Sequence, residues 1–478
     1  MRLEGAQLQW RMSDWSGKLK VYIVTEIMSR ELIGNLMLAA LLAERGHVAI
    51  VLNQEDSFVL GRGSVSGTTI FHTKSLHYAE ERISQHKELR ADGFIITSMD
   101  QETSMLNPGA SEVLSRRFCK ENLEIAARVY TWSQFEMMEL SKLFPTVAEK
   151  FTDVGSPRMD LWSPRFRGLG GLLPETRRRI LLTPSVILNS SVRHWDHMAI
   201  AKSVSHPANP LHQYHSESFE GHAYELRSQV FFSKLALKIA DEFPDCDVIL
   251  QPKKNEIKEA WVRSLYSLDT TGDGSRPNIY IEYSRILEES IHGSDVVVNS
   301  NSTAGLTALL GRVPLVSFGP TESIASQLGA RVDNIEKGFA RVIKALADPE
   351  GFMSSYEAKN LKMLGDRISV SGFRLAGEKI AEDMENFDSG IRSGLTVRDY
   401  LLYLYPGTIR RFFGVLKSMM RLRPAVLAHP EKVAKISQER ADELLTKIVD
   451  GIGRDLKVKA VVAGARNIVV TPNPQSKK

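Results

Sequence analysis

The 478-residue chain holds only two cysteines, Cys119 and Cys246, far apart in sequence. Two such thiols do not suggest a disulfide framework and point to a reducing compartment. No segment approaches the roughly 20 uninterrupted apolar residues of a membrane span. The opening MRLEGAQLQWRMSDW has no apolar run fit for a signal peptide. These absences predict a cytoplasmic protein. Charge of one sign is also scarce. A net charge of +4 does not by itself argue for nucleic acid, and no DNA- or RNA-binding signature stands out, so no nucleic-acid partner is expected. There is no repeat of fixed period and no long low-complexity segment.

What is present is the balance of a globular protein, 43% hydrophobic and 25% charged residues. At about 150 residues per domain, the length suggests about three units. Short apolar runs alternate with helical patterns. KVYIV (20–24) reads as a buried strand, and Leu32, Leu36, Ala39, Ala40 and Ala43 follow at helical spacing. Gly46 stands where a left-handed cap would fall, and VAIVL (48–52) is the next strand, completing a βαβ unit. FIIT (94–97), ARVYTW (127–132) and FTDVG (151–155) continue the strands, with a helix from Leu114 to Ile125. A Gly-rich basic link, 165–179, ends this half.

The pattern restarts with RILLTP (179–184), a His-rich insertion (185–222) and a helix from about Glu225 to Glu242. DVILQP (247–252), NIYIE (278–282), DVVVN (295–299) and VPLVSFG (313–319) are strands. The fold class read from this is α/β: two Rossmann-like domains, 18–165 and 174–385, facing each other across a cleft. A mainly helical basic tail (395–460) follows, and 461–478 read as disordered.

The strongest candidate site is DVVVNSNSTAGLTALLG (295–311). A buried strand ends at Asn299, then Ser300, Asn301, Ser302 and Thr303 lead into a helix. A small-polar loop at a helix N-terminus offers free N–H groups and hydroxyls to a phosphate. The same residues can simply cap a helix, and local sequence weighs the two readings equally. QPKKNE (251–256) also follows a strand, and Lys253 or Lys254 could meet a phosphate or lie in an exposed turn. In the first half, Glu26, Ser29, Arg30 and Glu31 cluster after the first strand, while Asp100 and Glu102 follow FIIT. A carboxylate there can serve as general base toward an acceptor hydroxyl, although a solvated or capping role is the commoner one. Arg158 and Asp160, in GSPRMDLW, are placed to pair across the hinge.

The order EIMSREL, DQE, GSPRMDLW, LQPKKNE, NSNSTAGLTALLG over roughly residues 18–345 resembles the bacterial surface carbohydrate biosynthesis family, itself similar to GT-B glycosyltransferases and CDP-glycerol glycerophosphotransferases. The resemblance implies two Rossmann-like lobes, the first on the acceptor side and the second holding an activated sugar, CMP- or UDP-linked, with no metal or other cofactor. It assigns the donor phosphate to Ser300, Asn301, Ser302 and Thr303, the basic strand-end motif to Gln251, Lys253 and Lys254, and the acidic loop to Asp100 and Glu102. The acceptor it implies is a glycan or lipid-linked glycan. Three positions depart from it, the first being the acidic loop, which reads DQET rather than a D/E-E-G type. Gln251-Pro252-Lys253-Lys254 stands where relatives show an Arg-Pro-His-Pro type motif, and Thr307 where they often have Glu. These departures imply either an altered donor or lost turnover. The expected activity is therefore a surface-polysaccharide glycosyltransferase. The alternatives are a polyol phosphotransferase or nucleotide-sugar epimerase on the same lobes, and an inactive scaffold of a polysaccharide assembly complex.

Six of the twelve histidines lie between His194 and His222, at spacings that match no familiar zinc pattern. In the tail, IRRFFGVLKSMMRLR (409–423) forms a basic amphipathic pattern. It would lie on the inner face of the cytoplasmic membrane or pack back on the lobes.

Overall fold

The computed structural model describes residues 16–17, 19–58, 60, 65, 67–102, 109–170, 177–185, 215–253, 256, 258–270, 272, 275–300, 302–319, 324–369, 374–388, 393–394, 435–463 and 467–473. Lys254, Asn301, segment 409–423 and most of the His-rich insertion lie outside them. The described chain divides into two units. The first draws on 1–105, 109–161 and 366–478, and the second on 106–108 and 162–365.

The first unit is built on β1 (Lys20–Thr25), β2 (Val48–Asn53), β3 (Thr69–Thr73), β4 (Ile95–Met99), β5 (Arg128–Thr131) and β6 (Phe151–Asp153), all parallel. Parallel strands covered on both faces are apolar throughout, and β1 and β2 are buried at every position. Between them runs α1 (Met28–Glu44), whose end is turned by Gly46 at φ +88°, the left-handed cap that the sequence indicates. The other helices used below are α2 (Glu80–Ala91), α3 (Ala110–Arg117) and α4 (Gln134–Leu143). The helix expected over Leu114–Ile125 is two helices, α3 and a short Lys120–Ile125, broken at Phe118 and Cys119 where the backbone is extended.

The second unit is a six-stranded parallel sheet of β7 (Arg178–Thr183), β8 (Cys246–Leu250), β9 (Ile279–Ile281), β10 (Val296–Asn299), β11 (Leu315–Phe318) and β12 (Ala330–Val332), in the order β9-β8-β7-β10-β11-β12. It carries α5 (His215–Glu242), α6 (Lys258–Leu268), α7 (Thr303–Leu310) and α8 (Ile335–Ala347). The first unit places β2 on one side of β1, the second places β8 and β9 on one side of β7, and each then continues on the other side of its first strand, so each has a topological switch point.

Two sequence boundaries change. Residues 162–170 belong with the second unit, where the buried Trp162 Nε1 donates to Glu288 Oε1 at 3.1 Å. Residues 366–388 return to the first unit as α9 (Ala376–Glu385), which lies against α1. There Asp383 accepts from Tyr130 Oη (2.9 Å) and Arg128 Nε (3.0 Å), and Glu385 meets Arg45 and His47.

The C-terminal region contains the helix α10 (Gln438–Ile452), and the expectation of disorder from residue 461 is corrected. β13 (Val458–Ala463) and β14 (Asn467–Pro472) form an antiparallel hairpin, and β14 pairs antiparallel with β2. The complete first sheet is thus β13-β14-β2-β1-β3-β4-β5-β6. Ile468, Val469 and Val470 are buried because their faces complete a core that the edge of β2 would otherwise expose.

Candidate functional sites at the two switch points

In the second unit the switch point lies between β7 and β10. Their last residues, Thr183 and Asn299, are register partners, and Thr183 Oγ1 donates to Asn299 Oδ1 at 3.2 Å. Ser300 follows, fully buried, with its hydroxyl 2.7 Å from that of Tyr224 on α5. Ser302 is the N-cap of α7, its Oγ accepting from the Ala304 N–H at 3.3 Å, and Thr303 is the first helical residue. The cap reading therefore holds, and the loop also lies where a doubly wound sheet binds its ligands. Gly305 sets how closely α7 approaches the strand end, because a Cβ there would stand 2.7 Å from Asn299 Nδ2. A close helix–strand approach at the first turn is what glycine permits.

On the neighbouring strand end, Gln251 is buried, with its Nε2 donating to the Arg285 carbonyl at 3.0 Å. Its Oε1 has no partner among the described residues. Burial lowers the Lys253 pKa, with Glu256 and Glu225 opposing. Since Tyr224 touches Ser300 and Glu225 acts on Lys253, α5 ties the two strand ends together. Thr307 is buried, its hydroxyl turned to the Thr303 carbonyl at 3.2 Å.

The first unit's switch point lies between β1 and β3, and there the structure assembles a charge cluster. Glu31 caps the start of α1, its Oε2 accepting from the N–H groups of Glu26 (2.7 Å) and Ile27 (3.3 Å). Ser29 is the second residue of that helix. Lys74, directly after β3, pairs with Glu26 and, at 3.3 Å, with Glu31. Arg82 on α2 approaches Glu26 at 4.0 Å. After β4, Asp100 takes both arms of Arg117, Nε and Nη2, at 2.6 Å each. Glu102 meets Arg117 Nη1 at 2.7 Å, Arg30 Nη2 at 2.9 Å and Lys74 Nζ at 3.7 Å. Burial raises the Glu102 pKa, but Arg30, Arg117 and Lys74 outweigh it and hold the carboxylate at about 2. For Asp100 burial raises the pKa and Arg117 opposes.

Sequence reasoning thus finds Glu26, Ser29, Arg30, Glu31, Asp100 and Glu102 but misses Lys74, Arg82, Arg117 and Tyr224. Lys74 was legible in principle, because it follows TIFHT, a short β-branched run of the kind that forms strands. Arg158 and Asp160 sit in a buried turn of helix, and Asp160 Oδ2 accepts from the Gly377 N–H of α9 at 3.3 Å. Asp160 thereby fastens α9 onto the first unit.

Behind the acidic loop, Trp132 Nε1 donates to the Asp100 carbonyl at 2.5 Å, and Glu136 Oε2 accepts from the Trp132 N–H at 2.7 Å. Burial pushes the Glu136 carboxyl up to about 8. As pH rises above the ordinary carboxyl value, the unfolded chain releases this proton while the folded chain keeps it. The group therefore costs stability progressively until about pH 8. Glu136→Gln keeps an acceptor for Trp132 and removes the titration. Its melting temperature relative to the parent should climb between pH 5 and pH 8, and an offset constant over that range would contradict the assignment.

The fold and sites define a protein of two Rossmann-like α/β units, each with polar groups gathered at its own switch point. No family model and no curated protein matches the chain. Among solved structures it is similar to an S. aureus MnaA–UDP co-structure, at 10% identity over 78% of this chain and 96% of that one, with a TM-score of 0.43. It is similar to the wall teichoic acid polymerase TagF at 11% identity, over 79% and 90%, with a TM-score of 0.44. It is also similar to the UDP-GlcNAc 2-epimerase of Neisseria meningitidis bound to UDP-GlcNAc, at 10% identity over 77% and 99%, with a TM-score of 0.43. Among the described residues no group of three or more His, Cys, Asp or Glu is placed to hold a metal ion, and no helix is long and apolar enough to cross a membrane.

Proposed function

We propose that the protein is a GT-B-type glycosyltransferase using a nucleotide-activated sugar, CMP- or UDP-linked, to build a bacterial surface polysaccharide at the inner face of the cytoplasmic membrane. The observation that carries this reading is the Ser300–Thr303 loop. It lies at the switch point of a β9-β8-β7-β10-β11-β12 parallel sheet and opens α7. The loop hydroxyls and the helix N-terminus suit the donor's phosphates. Lys253, whose burial disfavours its charge despite Glu256 and Glu225, gains from an anion beside it and stabilises charge developing on the leaving group. The acceptor, a glycan or lipid-linked glycan, falls to the first unit. Of its two acidic-loop carboxylates, Glu102 is the more exposed and is assigned to the acceptor hydroxyl, while Asp100 is committed to Arg117. Calorimetry with CMP, CDP, UDP and GDP tests the reading. One nucleotide should bind selectively, and Ser302→Ala with Thr303→Ala should abolish that binding. A folded protein with no nucleotide affinity would instead favour a scaffold role.

A further inference from the structure

The charge cluster of the first unit balances in an uneven way. Its buried part holds Arg30, Lys74, Arg82 and Arg117 against Glu26, Glu31 and Asp100. Among the described residues four cations face three carboxylates, which leaves one positive charge in excess. The balance is restored by Glu102, whose side chain is 40% exposed, whereas the Arg30, Lys74 and Arg117 side chains it touches are 24%, 5% and 23% exposed. Desolvated cations need an anion, and an exposed carboxylate on a loop is the partner most easily exchanged. The two guanidinium groups meet opposite oxygens of that one carboxylate, Arg30 at Oε1 and Arg117 at Oε2. This is the arrangement that suits any planar carboxylate or a phosphate. The deeper pairs keep the cations in place without it. Asp100 holds Arg117 through two bonds, and Glu31 holds both Arg30 and Lys74.

We propose that Arg30, Lys74 and Arg117 form an anion subsite for an acidic group on the acceptor glycan, and that Glu102 fills it as an internal counterion until the acceptor arrives. The ligand assignment rests on the glycosyltransferase reading, whereas the subsite itself rests on the geometry alone. Displacement has a chemical consequence. Glu102 bound to three cations is a poor proton acceptor, and release returns it toward ordinary carboxylate basicity. Glu102 is then basic enough to accept the proton of a hydroxyl on the acceptor bound at the first unit. A neutral sugar would leave Glu102 in place.

The test uses the full chain carrying Ser302→Ala and Thr303→Ala, which silences the second unit's phosphate loop. Binding of glucuronate, glucose 6-phosphate and glucose is measured by calorimetry before and after Glu102→Gln. Removing the internal anion should tighten binding of one or both acidic sugars by about tenfold or more and leave glucose unbound. The acid that gains more identifies a carboxylate or a phosphate as the group recognised. Adding Arg30→Met should cancel the gain. Unchanged or weaker acid binding in Glu102→Gln, or an equal gain for glucose, overturns the proposal. Loss of nucleotide binding by the parent chain would sink the transferase reading without touching this result.

Discussion

Replacing Arg117 by methionine should destabilise the first unit by about 3–5 kcal/mol, the cost typical of stripping one partner from a buried ion pair. Asp100 is 2% exposed, and its two oxygens take two Arg117 nitrogens at 2.6 Å. Without the guanidinium the carboxylate must either stay charged with, among the described residues, the Glu102 N–H at 2.9 Å as its remaining hydrogen bond, or take up a proton. Both routes cost free energy. The loss should extend to Glu102, which also surrenders its Arg117 contact. Asp100→Asn combined with Arg117→Met removes the stranded charge and should recover much of the loss. Urea unfolding of the three proteins decides the matter. Equal stability of Arg117→Met and the parent would mean that the pair contributes nothing. No recovery in the double variant would mean that the methionine packs badly rather than that a charge is stranded.

Ending the chain at Asp455 should leave the first unit unable to stay folded in solution. The cut removes β13 and β14 and with them the buried Leu456, Ala460, Ile468, Val469 and Val470. At about 1.5–3 kcal/mol for each large buried aliphatic side chain, Ile468, Val469 and Val470 alone approach the 5–15 kcal/mol of a typical domain. Polar losses add to this. Asn467 Oδ1 accepts from the buried Asn53 N–H at 2.9 Å, and its amide reaches Asp56 at 3.3 Å. The bared edge of β2 would also invite pairing between copies. Expression should give aggregate, or a soluble protein that lacks one of two unfolding transitions. A truncated chain that stays soluble and melts like the parent would contradict this account, and it is what a disordered tail would give.

Most of the parallel strands were legible because buried strands are continuous apolar runs. KVYIV, VAIVL, DVVVN and the others needed no partner to be recognised, and Gly46 marked a helix end by its own backbone freedom. The polar loop that opens α7 was legible for a similar local reason, since a buried strand, small polar residues and a helix start follow one another in sequence. Asp100 and Glu102 could be found as acids after a strand. What they do there could not, because Arg30, Lys74 and Arg117 reach them from three other elements.

By itself the sequence determined two α/β halves, the strand ends on which their polar residues sit, and which small polar loop opens which helix. These follow from local periodicity and backbone preference. The tertiary structure alone decided strand order, and with it the position of each switch point. It also decided that four cations and four carboxylates would gather at one of them, and that residues 467–472 would close the sheet beside β2. Each of these depends on groups tens to hundreds of residues apart meeting in space, where burial makes an unpaired charge or a bare strand edge too costly to leave.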